Sequence, residues 1–258
     1  MRRRLFLRTR ARNGPLRLAV ALAMLAATVL LGGSAAGAAQ APQAADGCYT
    51  WDEELSQGAS GDAVTQLQIR VGGYPASGEV LAVDGEFGPA TEAAVERFQS
   101  AYGLSKTGVA DTETYEQIYQ LQDDDCSPAH FDFAELNSCN SDWSGGAVGA
   151  EEAKSNALRT MWKLEALRHA LGDEPITVTS GFRSTGCNDS VGGAPDSRHL
   201  YGDAADLVSD NHTLCELAQA ARDRGFHGIL GPGYPGHDDH AHVDHRSSQY
   251  WDAPDCGI

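Results

Sequence analysis

Residues 237–245 read HDDHAHVDH and place four of the chain's nine histidines, with three acids, in nine positions. Imidazole nitrogens and carboxylate oxygens at that density suit a divalent metal, with zinc bonds of about 2.0–2.2 Å. A second stretch, SRHLYGDAADLV at 197–208, carries His199 and Asp206 with six residues between them. A tight turn at Gly202 would bring a loop histidine and a strand aspartate to one point. A further ligand must then come from 237–245, the other dense supply. There, strand alternation turns His240 and His242 to one face and Ala241 and Val243 to the other. Spacing alone leaves either histidine able to complete the site. Three protein ligands would leave a fourth position for water, as in a catalytic zinc site. Four, from His199, Asp206, His240 and His242, would close it into a structural one.

The elements that must hold these residues are readable around them. PITVTSGF is rich in β-branched residues and predicts a strand, with Arg183 just beyond it. HAHVDHR alternates as a strand does. SNALRTMWKLEALRHALG sets Leu158, Met161, Trp162, Leu164 and Leu167 on a broad apolar helix face, with Met161 and Trp162 expected in the core. His169 falls near the end of that helix, where a cation suits the dipole. TLCELAQAARDRG predicts another helix, ended by Gly225. Helices and strands in this order predict an α+β domain, expected over residues 126–258.

Residues 58–122 are organised differently. GASGDAVTQLQIRV offers Ser60 or Asp62 as a helix cap, then Val64, Leu67 and Val71 at helical spacing. VDGEFGPATEAAVERFQSAYGL places Pro89 near a helix start, with Ala94, Val95 and Phe98 as the apolar stripe. DTETYEQIYQL predicts a third short helix. Three helices of this size can close around one small core, a helical domain expected over residues 46–125. The acidic segment QDDDCSPAHFD, at 122–132, connects the two.

The amino-terminal end reads as an export signal. A basic stretch, MRRRLFLRTRARNGPLR, precedes the apolar run LAVALAMLAATVLLGG and an alanine-rich region, the order of a secretory leader. Residues 1–45 are expected to be removed after Ala45. The run is short of the roughly 20 residues a stable membrane span needs, so no lasting membrane anchor is expected. The leader holds seven of the 19 basic residues and none of the 36 acids, which leaves the remainder at −24. A surface so acidic disfavours nucleic acid and anionic lipid as partners. The six cysteines, Cys48, Cys126, Cys139, Cys187, Cys215 and Cys256, form no C-x-x-C pair. In an exported chain that even count predicts three disulfides, with pairing left open among fifteen arrangements.

Two resemblances sharpen this reading. G-D-A-V-x-x-L-Q, D-G-E-F-G-P-A-T-x-x-A-V-x-x-F-Q-x-x-x-G-L and G-V-A-D-x-x-T resemble the peptidoglycan-binding domain carried by many cell-wall hydrolases. S-x-H-x-x-G-x-A-x-D followed by H-x-H resembles the zinc D-Ala-D-Ala carboxypeptidases, whose superfamily also holds lysostaphin-type peptidases and the Hedgehog amino-terminal domain. With SGFR, GPGYPGHDDHAH and the closing C-G-I, the likeness to the secreted actinomycete members runs through the whole mature chain.

The resemblance implies an α+β peptidase domain with a mostly antiparallel sheet, behind a small three-helix wall-binding domain. It implies one zinc ion held by His199, Asp206 and His242. It makes Asp239 the general base, places His240 beside the metal but not on it, and gives His237 the scissile carbonyl or its oxyanion. Arg183 would hold the substrate's terminal carboxylate with two bonds, or else the scissile carbonyl. After H-x-H-V the chain departs from its relatives with Asp244-His245; Ser197 is expected around the site, Asp244 behind it, and His245 in solvent. The pairing implied is Cys48–Cys126, Cys139–Cys187 and Cys215–Cys256. The expected protein is a secreted, monomeric, wall-associated enzyme that removes D-Ala from stem peptides ending in D-Ala-D-Ala.

A serine peptidase of the same bond needs S-x-x-K, but Gly103, Glu151 and Thr160 stand three residues before the lysines Lys106, Lys154 and Lys163. Two other readings stay open at this level: an endopeptidase of wall cross-links, and a non-catalytic wall-binding protein with a structural zinc.

Overall fold

The computed structural model describes residues 47–258; the expected leader lies outside the described residues. Helices α1 (Asp62–Arg70), α2 (Pro89–Ala101) and α3 (Thr112–Gln120) enclose one small core. Val64, Leu67, Ala94, Val95, Phe98 and Ile118 are wholly buried in it. Pro89 is the first residue of α2, where its missing N–H costs no helical bond. The cap of α1 differs from expectation. Gly61 occupies the position, no side chain takes the cap bonds, and Asp62 is the first helical residue, where its charge favours the amino end of the dipole.

The glutamines of the L-Q and F-Q motifs are buried hubs. Gln68 donates to Asp84 Oδ1 at 2.8 Å and accepts from Gly85 N–H at 2.9 Å. Gln99 donates to Val109 O at 2.8 Å and accepts from Thr107 N–H at 2.9 Å. Each side-chain amide replaces the ladder bonds that the connecting loops lack.

A short helix, α4 (Phe133–Leu136), carries a capping box between Asp132 and Glu135. The long helix α5 (Ala150–Ala170) follows. Its apolar face is broad because it serves two cores. Ala153, Ala157, Met161, Leu164 and Leu167 enter the larger core, while Trp162 and Ala166 enter the core of the three-helix unit. Trp162 Nε1 donates to Cys126 O at 3.1 Å. His169, at the end of α5, does more than meet the dipole. It stacks on Tyr102 with ring centroids 4.4 Å apart, and its Nε2 lies 3.1 Å from Ala101 O.

The remaining elements are β1 (Thr177–Ser180), α6 (Thr185–Ser190), β2 (Ala204–Val208), α7 (Leu214–Ala221), β3 (Gly228–Leu230), β4 (Ala241–Asp244) and β5 (Tyr250–Asp252). The sheet order is β1-β2-β4-β3-β5, antiparallel except for the β3–β5 pair. Strands β3 and β5 have three residues each, too few to show alternation in the sequence. One face of the sheet buries Ala205, Leu207, Ile229, Ala241 and Val243 in a core shared with α5 and α7. Side chains alternate along a strand, and paired residues share a face. The opposite face therefore carries the row Ser180, Asp206, His242, Leu230 and Asp252.

Three disulfides join Cys48 to Cys126, Cys139 to Cys187 and Cys215 to Cys256, with Cα atoms 5.4, 6.4 and 5.0 Å apart. Each closes a long loop and stabilises the chain by ~2–4 kcal/mol. Among the described residues no helix is long and apolar enough to cross a membrane.

Candidate active site

The site is assembled by one turn and one strand pair. Gly202 follows the 3-10 turn Arg198–Tyr201 with φ 74°, a left-handed conformation that glycine adopts without steric penalty. A side chain there would also collide with the backbone of Ala153. The turn delivers His199 next to β2, where Asp206 pairs directly with His242 of β4. His199 Nε2 lies 3.1 Å from Asp206 Oδ1 and 3.2 Å from His242 Nδ1, and the last two are 2.9 Å apart. All three residues are buried. Ligands about 2.05 Å from a tetrahedral ion stand about 3.3 Å apart, close to this triangle.

The outer nitrogens decide which way the lone pairs face. His199 Nδ1 is 2.6 Å from Gly181 O, which can only accept, so Nδ1 carries the proton and Nε2 presents its lone pair inward. His242 Nε2 donates to Asp244 Oδ2 at 3.0 Å, which leaves Nδ1 as the inward acceptor. Two imidazole lone pairs and a carboxylate thus converge on one point, an arrangement that suits a cation at its centre. Burial opposes charge on His242, but its hydrogen bonds to Asp206 and Asp244 prevail and raise its pKa to about 9. Burial lowers that of His199. Burial also works to raise Asp206, yet His199 and His242 outweigh it and hold the carboxyl well below the usual carboxylate range. The donor set and its fixed tautomers fit zinc.

Arg183 anchors Asp206 from the other side. Its Nε donates to Ser180 Oγ at 2.9 Å and its Nη2 to Asp206 Oδ2 at 2.7 Å. Its Nη1 has no protein partner among the described residues, and the residue lines the cleft in front of the cluster. His240 lies just before β4. Its Nε2 is 3.5 Å from Asp206 Oδ1 and its Nδ1 is 2.7 Å from Asp239 Oδ1. The side chain of Asp239 is 90% exposed, and the hydrogen bond from His240 holds its carboxyl below the ordinary value. His237 is half-buried, 4.7 Å from His240 and 5.8 Å from His242 between ring centroids. Burial lowers its pKa, and its Nδ1 donates to Pro235 O at 3.1 Å. Ser197 also lines the cleft, whose volume is about 870 Å³.

One neighbour departs from the sequence reading. His245 does not stand in solvent. The chain turns inward after β4, so its backbone N–H donates to Asp203 O at 3.1 Å and its ring sits 5.8 Å from that of Phe226. Burial, and then nearby Lys163, hold its pKa well below the ordinary value. Asp244 is wholly buried behind His242 and also accepts from Arg246 Nε at 2.9 Å and from Arg246 backbone N–H at 2.8 Å. Gly228 faces it across the sheet, and a side chain at 228 would collide with the carboxyl group. Sequence reasoning missed Arg246 and Gly228. The signal for Arg246 was its place two residues after Asp244, where a turn lets the guanidinium fold back. Gly228 had none.

Residues 129–244 match the Peptidase M15 family model, and residues 60–118 match the model of a peptidoglycan binding domain. A zinc D-Ala-D-Ala carboxypeptidase of Streptomyces albus G is 64% identical over 215 residues, 83% of this chain and 84% of that protein. An uncharacterized protein in the bpoA1 3′ region of Kitasatospora aureofaciens is 39% identical over 104 residues, 39% of this chain and 86% of that protein. Among solved structures, the SleB N-terminal domain is 33% identical, covering 27% of this chain and 92% of that one, with a TM-score of 0.24.

Proposed function

The chain belongs to the Peptidase M15 family, and from that premise we propose that its cleft hydrolyses the terminal D-Ala-D-Ala bond of peptidoglycan stem peptides and releases D-Ala. The observation that carries this reading is the inward triangle of His199 Nε2, Asp206 Oδ1 and His242 Nδ1 at 2.9–3.2 Å, open to the cleft. These three residues would hold one zinc ion. When bound, the ion supplies Lewis acidity, bringing the pKa of a water to ~7 and polarising the scissile carbonyl.

The chain's own groups perform the remaining work. Asp239, kept ionised by His240, takes a proton from the attacking water and returns it to the amine of the departing D-Ala. His237, whose Nδ1 donates to Pro235 O at 3.1 Å, meets the carbonyl oxygen with Nε2, which donates as negative charge develops there when the ring is an imidazolium. His240, held between Asp239 and Asp206, fixes the base and stays outside the ligand set. Arg183, anchored on Ser180 and Asp206, offers Nη1 to the substrate's terminal carboxylate. This contact selects a chain end over an internal bond and supports exopeptidase action.

The leader of residues 1–45 would export the enzyme, to act as a monomer outside the membrane. The helical domain of residues 46–125 would hold it on the wall, where local substrate is concentrated, while residues 126–258 carry the catalysis. Incubating the zinc-loaded protein with a D-Ala-D-Ala-terminated tripeptide and with a cross-linked muropeptide tests the proposal. Release of D-Ala from the tripeptide, abolished by a chelator and restored by zinc, is expected. Cleavage of the cross-link without release of D-Ala would replace the carboxypeptidase with an endopeptidase.

A further inference from the structure

Strand β1 meets β2 with one residue too many. Thr177 pairs with Val208 and Val178 with Leu207, but Asp206 pairs with Ser180, which leaves Thr179 as the extra residue of a β-bulge. Thr179 Oγ1 donates to Asp206 O at 3.2 Å and ties the bulge to β2. Bulges beside active sites re-aim a side chain. Here the bulge sets Ser180, in place of Thr179, opposite the candidate ligand Asp206 and on the same face of the sheet.

The residues that follow are pinned on both sides. Gly181 O accepts from His199 Nδ1 at 2.6 Å, Phe182 N–H donates to Leu136 O at 2.5 Å, and Arg183 N–H donates to His199 O at 3.0 Å. The chain thus returns the Arg183 side chain to Ser180 and Asp206. Ser180 Oγ accepts from Nε at 2.9 Å, and Asp206 Oδ2 accepts from Nη2 at 2.7 Å.

A guanidinium is planar and holds its five N–H donors in fixed directions. Nε–H and one Nη2–H point the same way, and Ser180 and Asp206 occupy both. The second Nη2–H and the two on Nη1 remain. The Nη1–Nη2 edge is a fork that fits a carboxylate with two parallel bonds, and Arg183 lines the cleft. Asp206 alone would not fix that aim. A guanidinium held only at Nη2 can swing its fork onto Asp206 and turn away from the cleft. The Ser180 hydroxyl takes Nε, the donor that such a grip would leave out.

We propose that Ser180 is a positioning residue for specificity: by holding Nε of Arg183, it presents the free Nη1–Nη2 edge to the terminal carboxylate of the substrate. This rests on the reading that Arg183 meets that carboxylate.

The test compares acetyl-Ala-D-Ala-D-Ala with its carboxy-terminal amide as substrates of the zinc-loaded full chain. The wild type should favour the acid by about a hundredfold or more in kcat/KM, because the amide leaves a buried polar group unpaired. Ser180→Ala should cut that ratio about tenfold, the scale of one hydrogen bond to a charged group, with the loss in the KM of the acid rather than in kcat. Ser180→Thr keeps the hydroxyl and should restore the ratio. Both variants should keep one zinc per chain by elemental analysis and the circular dichroism of the wild type. An unchanged ratio in Ser180→Ala would overturn the role of Ser180 and leave the contact of Arg183 intact. Loss of zinc, or a fall in kcat shared by both peptides, would show a merely structural hydroxyl and overturn it too. A wild-type ratio near one would remove the carboxylate reading of Arg183 and this inference with it.

Discussion

Asp244 stands directly behind His242, its Oδ2 3.0 Å from His242 Nε2, and is held there by the Nε of Arg246 at 2.9 Å. This contact fixes the tautomer that turns the Nδ1 lone pair of His242 toward Asp206 and His199. Removing the carboxylate frees the imidazole to rotate and to protonate on either nitrogen. Asp244→Ala should weaken zinc binding by ~10–100-fold, measured by competition with a chromogenic chelator. An unchanged affinity would show that packing alone orients His242.

His237 lines the cleft before the ligand triangle, and exposed Asp239 meets the site through His240. Asp239→Asn should lower kcat by ~10²–10⁴-fold, and His237→Ala should raise the barrier by ~2.7–4 kcal/mol. Both variants should keep one zinc per chain by elemental analysis. Full activity in Asp239→Asn would move the base to another group, with His240 next in line.

Lys163 supplies a pH dependence away from the metal. It is buried on α5, with Nζ 2.6 Å from Gly225 O and 5.6 Å from the centroid of the Phe226 ring. Burial, with Arg159 adding to it, lowers its pKa from 10.5 to about 7. Between those values the unfolded chain carries a proton on this lysine that the folded chain lacks, so stability rises with pH across the window. Lys163→Met removes the group. The wild type should gain about 1–3 kcal/mol on this variant from pH 7 to pH 10, read from thermal unfolding of both zinc-loaded proteins. Parallel pH curves would show that Lys163 stays charged in the fold.

Much of the site was legible because its signals are local. His199 and Asp206 sit either side of a glycine turn, and H-x-H alternates on a strand. The three short helices were legible for the same reason, since each apolar stripe recurs within two turns. What stayed hidden depends on register between distant segments. That Arg183 reaches Asp206 follows from the pairing of Ser180 with Asp206 across an irregular β1–β2 ladder, which no spacing encodes. The inward turn of His245 depends on Phe226 and Asp203. The double duty of α5 shows in the sequence only as a wide stripe. Trp162 and Leu164 look alike there and enter different cores.

The most direct measurement is an anomalous difference map at the zinc edge from crystals of the zinc-loaded chain. One peak is expected at the site, touched by His199 Nε2, Asp206 Oδ1 and His242 Nδ1, with its remaining coordination position facing the cleft. A peak closed by His240 as a fourth protein ligand, or one lying away from this triangle, would contradict a catalytic metal here.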